Sequence, residues 1–275
     1  MRRLIRLREK SIEDFGSQWS IHGNLPEGHW TSDEMFRDHW GSSFDPNQIT
    51  GKTVAEVGSG SGRVLRMISR YDPESIFGIE PSNGINLLHL KLPDFKGKLR
   101  LIHARADEFK IEECDFLFCF GVLHHIPEPK KALRNMAKAL KPEGKLLVWV
   151  YGYEGNQIYV LLQSLLRPLL RLLPDRALEL FAILARELVI LYFQIGSLVF
   201  KRGFPLQSYL NSVFMKCDRQ SQKFIIFDQI NPIYSKYYRK EEIIALVEEC
   251  NFDVEDIHHR HGYSWFLICK VKGNV

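Results

Sequence analysis

Three glycines, two acids and a pair of histidines are the residues of this chain whose types and spacing could do chemistry. Gly58, Gly60 and Gly62 alternate in Glu56-Val-Gly-Ser-Gly-Ser-Gly62. A β-type run, 53–57, leads into them, and a helical pattern with Val64, Leu65, Met67 and Ile68 follows at once. A strand, a glycine turn and a helix start make a cradle for a small ligand, because the first helix amides have no partner of their own. The plainer reading is a strand-to-helix turn with glycines for close packing. A pyrophosphate fingerprint would place its third glycine at position 63, where Arg63 stands. Glu56 is also awkward beside a pyrophosphate, since like charges repel in a partly dry pocket. It suits a ligand carrying an ammonium and a sulfonium, with the helix amides receiving that ligand's carboxylate. A second β-type run from Ser75 ends in Glu80 and Pro81. Glu80 lies about 20 residues after the turn, where a nucleotide-binding unit holds its ribose carboxylate. Its two oxygens can accept from both ribose hydroxyls. The glycine spacing and the two acids together favour S-adenosylmethionine over a dinucleotide.

The chain resembles the class I S-adenosylmethionine-dependent methyltransferases, from about Gly51 to Tyr151 and again from about Asp228 to the end. Glu56-Val-Gly-Ser-Gly-Ser-Gly62 is similar to the family's first motif. Asp115-Phe-Leu-Phe-Cys-Phe-Gly-Val-Leu-His-His125 is similar to its fourth-strand motif. Leu140-Lys-Pro-Glu-Gly-Lys-Leu-Leu-Val-Trp-Val150 is similar to the turn before its fifth strand. The resemblance implies an α/β, Rossmann-like fold: a seven-stranded, mostly parallel sheet with an antiparallel last strand and helices on both faces. It implies S-adenosyl-L-methionine as cofactor, S-adenosyl-L-homocysteine as product, and no metal. The cofactor-binding residues it implies are Glu56, Gly58, Ser59, Gly60, Gly62, Glu80, Pro81, Ala106, Asp107, Phe120 and Gly121. One departure stands out. Where relatives usually read Gly-Asp-Ala-Glu, with the Asp accepting from the adenine amino group, this chain reads Ala104-Arg105-Ala106-Asp107. Arg has no acceptor, which leaves the Ala106 backbone and Asp107 or Glu108 to meet the adenine.

Methyl transfer from a sulfonium is an in-line displacement in which the protein aligns the nucleophile and excludes water. A base is needed only for a hydroxyl or a protonated amine acceptor. His124 and His125, just after the fourth strand, are the candidate catalytic groups, since ligands of open α/β sheets sit at the strands' carboxyl ends. The plainer reading is that one of the pair hydrogen-bonds the backbone. Tyr151 and Tyr153, with Tyr234 and Tyr238 further on, are the candidate substrate-binding residues. His258, His259 and His261 look like a metal cluster, but adjacent residues of a strand face opposite ways.

The elements that must position these groups alternate along 51–151 as strand and helix, which implies a parallel sheet covered on both faces. Residues 154–217 break the alternation. Two apolar patterns, 161–173 and 177–200, flank Pro174, and Glu179, Arg186 and Glu187 interrupt the second. The uncharged remainder is too short for a membrane span, which needs roughly 20 apolar residues. This all-α insertion could be a lid, a dimer face, an interfacial membrane contact or plain core packing. The expected organisation is therefore an N-terminal cap segment (1–50), a cofactor-binding methyltransferase domain (51–153 and 218–275) and a helical insertion (154–217).

With 275 residues and a formal charge of +4, the chain can hold one large α/β domain plus an insertion. The five cysteines show no metal-ligand spacing and fit a reducing compartment. The expected location is the cytoplasm, with membrane association through the insertion as an option. The function expected is methyl transfer from S-adenosylmethionine to an O or N atom of a small-molecule or lipid-linked acceptor. The alternative is a non-catalytic protein that keeps the fold and uses 157–200 for homodimer, protein or peripheral membrane contact. A nicotinamide-dependent oxidoreductase is disfavoured by Arg63 and Glu56. A nucleic-acid partner is not expected, because no basic stripe with interleaved aromatics is visible.

Overall fold

A computed structural model describes residues 2–23, 27–88, 92, 95–170, 173–201 and 203–273. Seven strands form one sheet in the order β3-β2-β1-β4-β5-β7-β6. The parallel strands are β1 (Thr53–Val57), β2 (Ser75–Ile79), β3 (Lys98–Ile102), β4 (Cys114–Phe120) and β5 (Leu140–Tyr151). β7 (Ser264–Val271) runs antiparallel to both β5 and β6 (Phe252–Arg260). The sheet is thus mostly parallel with an antiparallel last strand. β4 lies mid-sheet and is apolar along nearly its whole length, as a strand covered on both faces must be.

Two apolar layers sandwich the sheet. On one face, Leu133 and Met136 of α5 (Pro129–Lys138) and Ile243 and Val247 of α10 (Lys240–Glu248) cover Leu117 and Leu146. On the other, Leu65 and Ile68 of α3 (Arg63–Ser69) join Phe36 of α2 (Asp33–Arg37) against Val54 and Phe118. Each of these buried side chains contributes about 1.5–3 kcal/mol relative to exposure. Proline starts α5, where a missing N–H is not felt.

Some boundaries moved from expectation. β5 begins at Leu140, earlier than the expected 145, because Leu140 pairs with Cys114 across a register shift. A helix expected near 84–91 is seen as α4 (Ile85–Leu88), and 89–91 lie outside the described residues.

α1 (Arg2–His22) precedes the sheet and crosses over its carboxyl-end rim, while Phe36, Trp40, Phe44 and Ile49 of the following segment pack into the core. After β5 come α6 (Gln157–Leu170), α7 (Asp175–Val199), α8 (Gln207–Ser212) and α9 (Arg219–Ile230). Asp218 caps α9 by accepting from the amides of Gln220 (2.9 Å) and Ser221 (3.0 Å). α9 packs on α7 through Phe227, Ile230, Leu178 and Ala182.

Candidate functional site

The strand order reverses between β1 and β4, and a cavity opens there at the carboxyl ends of the parallel strands. Its floor is the turn after β1. Gly58 has φ +75°, and a Cβ on it would collide with Val122, which follows β4. Gly60 has φ +50°, and a Cβ there would stand 2.6 Å from the Trp19 ring. Only glycine adopts these conformations cheaply and lets Val122 and Trp19 approach this closely. Gly62 is the left-handed N-cap of α3.

Glu80, at the end of β2, folds back under this turn. Its Oε2 accepts from the Gly60 amide (2.8 Å) and its Oε1 from the Ser82 amide (2.9 Å). Each oxygen retains a second lone pair for a hydroxyl. Burial raises its pKa, against the pull of those hydrogen bonds. Glu56 is 2% exposed and lines the cavity. Burial pushes its carboxyl up to about 8, opposed by the Arg63 charge and reinforced by that of Glu80. Its Oε2 has no hydrogen-bond partner. Arg63 also lines the cavity, donates to the Trp30 carbonyl (3.3 Å) and lies 4.6 Å from the Trp30 ring. Burial lowers its pKa to about 10.

This end fits S-adenosylmethionine on its own geometry. An orphaned buried carboxylate oxygen at Glu56 could receive the amino group and the free lone pairs of Glu80 the ribose hydroxyls, while the left-handed glycines let Val122 and Trp19 close directly over the turn. Ser59, Pro81, Ala106, Asp107, Phe120 and Gly121 also line the cavity, from the ends of four strands. The Arg105 side chain is held by Asp107 (3.0 Å) and Glu108 (2.8 Å), so the carboxylate expected to replace the missing acceptor is engaged with the Arg that replaced it.

At the opposite end the walls are aromatic: Phe15, Trp149, Tyr151, Tyr209 and Tyr263. The two histidines divide. His125 lines the cavity, and its Nδ1–H donates to the Tyr234 carbonyl (2.8 Å), leaving Nε2 as the bare nitrogen of the neutral ring. Burial brings its pKa down to about 4. His124 does not border the cavity. Its ring stacks on Tyr151 at 3.7 Å, its Nδ1 accepts from the Tyr151 amide (3.4 Å), and burial holds it neutral. Of the four tyrosines, Tyr151 lines the cavity. Tyr234 reaches it only through the carbonyl that fixes His125. Tyr153 packs under the Arg239 guanidinium, and Tyr238 is buried in the sheet's core.

Sequence reasoning missed Asp228. It is partly buried at the cavity wall, where Oδ1 accepts from Gln18 (2.6 Å) and Oδ2 from the Tyr151 hydroxyl (3.1 Å). Burial raises its pKa, opposed by those two hydrogen bonds and by Arg63. Gln229 donates to the same Tyr151 hydroxyl (2.8 Å) and accepts from Tyr237 (3.1 Å) and Tyr159 (3.2 Å). The signal was present: Phe224, Phe227 and Asp228 fall on one stripe of α9, and an acid in an apolar stripe needs a reason. Arg63 had been read only as a reason against a dinucleotide. Among the described residues, no group of three or more His, Cys, Asp or Glu could hold a metal.

A doubly wound sheet of this order, with this cradle at its switch point, is the fold of the class I S-adenosylmethionine-dependent methyltransferases. Residues 55–148 match the family described as "Methyltransferase domain", and the chain carries such a domain. It is 27% identical over 117 residues to a tRNA U34 carboxymethyltransferase of Desulfotalea psychrophila, covering 41% of this chain and 37% of that protein. It is 30% identical over 108 residues to phosphoethanolamine N-methyltransferase 2 of Caenorhabditis elegans, covering 37% of this chain and 24% of that protein. The matched stretches are thus well under half of these relatives. In solved structures, magnesium protoporphyrin IX methyltransferase from Synechocystis PCC 6803 with bound S-adenosylhomocysteine superposes with a TM-score of 0.54 at 11% identity, over 98% of this chain and 99% of that one. A putative methyltransferase in complex with Haloferax volcanii Trm112 gives 0.55 at 11% identity, over 98 and 99%. At such identity these two show the fold alone.

The relatives overturn one expectation. Nucleic acid had been set aside as a partner for want of a basic, aromatic stripe, yet tRNA U34 carboxymethyltransferases recur among the similar proteins. The matched family stretch, 55–148, is the cofactor-binding half. Most of the aromatic end, Tyr151, Tyr209, Asp228 and Tyr263 among it, lies outside that stretch, so the motifs gave no ground for setting such a partner aside.

Proposed function

We propose that this protein transfers a methyl group from S-adenosylmethionine to an O or N atom of a small-molecule or lipid-linked acceptor. The observation that carries the reading is the hydrogen-bonded Asp228–Tyr151–Gln229 cluster at the aromatic end of a cavity whose other end is the glycine cradle. The bound cofactor would supply an activated methyl on its sulfonium. Glu56 receives the amino group and Glu80 the ribose hydroxyls, which fixes the direction in which the methyl points. The aromatic walls exclude water and hold an apolar or planar acceptor by its faces. Asp228 Oδ2, raised in basicity by burial, accepts the proton of the attacking group, and Tyr151 O–H holds that carboxylate in place. The neutral His125, anchored through Nδ1, orients the acceptor through Nε2.

The test is transfer of labelled methyl from S-adenosylmethionine into a fractionated cell extract. Label in the small-molecule or lipid fraction, lost with Asp228→Asn, supports the reading. Label in the RNA fraction moves the acceptor to the class named by the tRNA-directed relatives. No transfer to any fraction by a protein that binds S-adenosylhomocysteine sinks the enzymatic reading.

A further inference from the structure

The helical pair α6–α7 turns its polar groups inward and its leucines outward. On α6, Tyr159 donates to Gln229 Oε1 (3.2 Å) and Gln163 to the Gln229 carbonyl (2.6 Å), so this helix backs the cavity wall. On α7, Arg186 Nε donates to Gln222 of α9 (2.8 Å), and Glu179 lies 3.9 Å from Lys223 and 3.7 Å from His22. The outer faces are left to Leu161, Leu162, Leu165, Leu166 and Leu169 of α6, and to Leu184, Leu188, Leu191 and Leu198 of α7. Leu198 is 83% exposed and Leu188 66%. At about 1.5 Å per residue the two helices present this face over roughly 21 and 37 Å. A surface helix of a globular protein has the opposite arrangement, and a face this large marks an interaction site.

The groups beside the face select the occupant. α6 contains no acid. Arg176 is exposed at the start of α7, and Lys201 just beyond its end. The exposed Arg3 and Arg6 of α1 gather around Ile233, two residues from Ser235, which accepts from Arg167 of α6 (2.8 Å). Leucines bordered by cations match an anionic lipid surface, where apolar groups enter the acyl boundary and Lys or Arg meet phosphates. A second copy would bury the leucines but bring the same cations to the rim, with no acid on α6 to meet them. Between the leucines stand Ser164, Gln194 and Ser197, with Glu187 as the exposed acid, itself engaged by Arg186 and Arg219. Among the described residues no helix is long and apolar enough to cross a membrane, so the contact is interfacial.

We infer that α6 and α7 lie on an anionic lipid bilayer and present the acceptor end of the cavity to it. The inference stands apart from the methyl-transfer reading, since lipid docking and cofactor binding are read by different measurements. The test is co-sedimentation of the full chain with phosphatidylcholine vesicles, with and without phosphatidylserine. The expected result is sedimentation with the anionic vesicles, weakened by high salt. Leu165→Glu with Leu188→Glu should lower vesicle affinity about tenfold or more while S-adenosylhomocysteine binding, measured by calorimetry, stays as in the parent. Arg3→Glu with Arg6→Glu should remove the preference for phosphatidylserine. A chain that stays in the supernatant with both vesicle types overturns the proposal. If it is then a dimer that the double leucine variant splits, the occupant is a second copy.

Discussion

The two ends of the cavity are built in opposite ways. The glycine end is made by short segments at the tips of neighbouring strands: the turn at 58–62, Glu80, and 104–107. Its bonds are largely backbone to side chain, as between Gly60 and Glu80. The aromatic end is made by side chains of helices and strands remote in sequence. Gln18 meets Asp228 across 210 positions, and Tyr151 meets the same carboxylate across 77. One end is built mainly on strand-end backbone, with Trp19 of α1 over it; the other depends on α1, α6 and α9 being docked. The difference teaches that ligand affinity at the first end and transfer at the second should be separable by mutation.

The largest effect should come from Gly60→Val. The side chain meets Trp19 and the backbone sits at φ +50°, so left-handed strain and overpacking add. S-adenosylhomocysteine affinity should fall about 300-fold, ~3.4 kcal/mol, in calorimetry, with the circular dichroism spectrum unchanged. Next is Asp228→Asn, which should lower transfer about 100-fold while leaving S-adenosylhomocysteine affinity within about threefold. Equal losses in both would erase the distinction between the ends.

Glu56 gives a pH-dependent effect at the glycine end. Its folded pKa, about 8, lies above its ordinary 4.5. A group raised in this way contributes stability that is full below pH 4.5 and is lost as pH climbs through 8. Thermal melts of the ligand-free parent and Glu56→Gln should therefore diverge between these values, with the variant gaining. Binding of the cationic cofactor near pH 7 should release a proton, seen as a buffer-dependent heat that Glu56→Gln abolishes. The smallest effect is expected from Arg105→Ala. Its partners are partly exposed, where ion pairs are worth about 0–1 kcal/mol, so affinity should change less than about threefold. A larger loss would mean that Arg105 itself bears on the adenine.

The same contrast governs what could be read from the sequence. The strand–glycine turn–helix at 53–69 was legible as a local pattern, and the mostly parallel seven-stranded sheet with its antiparallel last strand followed from the family that the motifs resemble. The acceptor end was not. The pair His124–His125 looked equivalent, and only packing against Tyr151 and the Tyr234 carbonyl separates them. Tyr153 looked like a wall residue because it follows the fifth strand, and Tyr238 because the resemblance implies that its segment borders the acceptor site, yet they face Arg239 and the core. Asp228 could be suspected from its apolar stripe but not joined to Gln18. The outward leucines of α6 and α7 were visible as apolar patterns, but which face they occupy depends on Gln229 and Gln222 holding the other side.

Trp19 and Gln18 are neighbours on α1, and they reach opposite ends of the cavity. Trp19 roofs the glycine turn, while Gln18 holds Asp228, and Asp14 and Asn231 tie the same helix to the segment beyond α9. A shift of α1 off the glycine turn would therefore also unhitch the carboxylate at the aromatic end. The two ends of the cavity thus share one latch, and a substitution that loosens α1 would be felt at both.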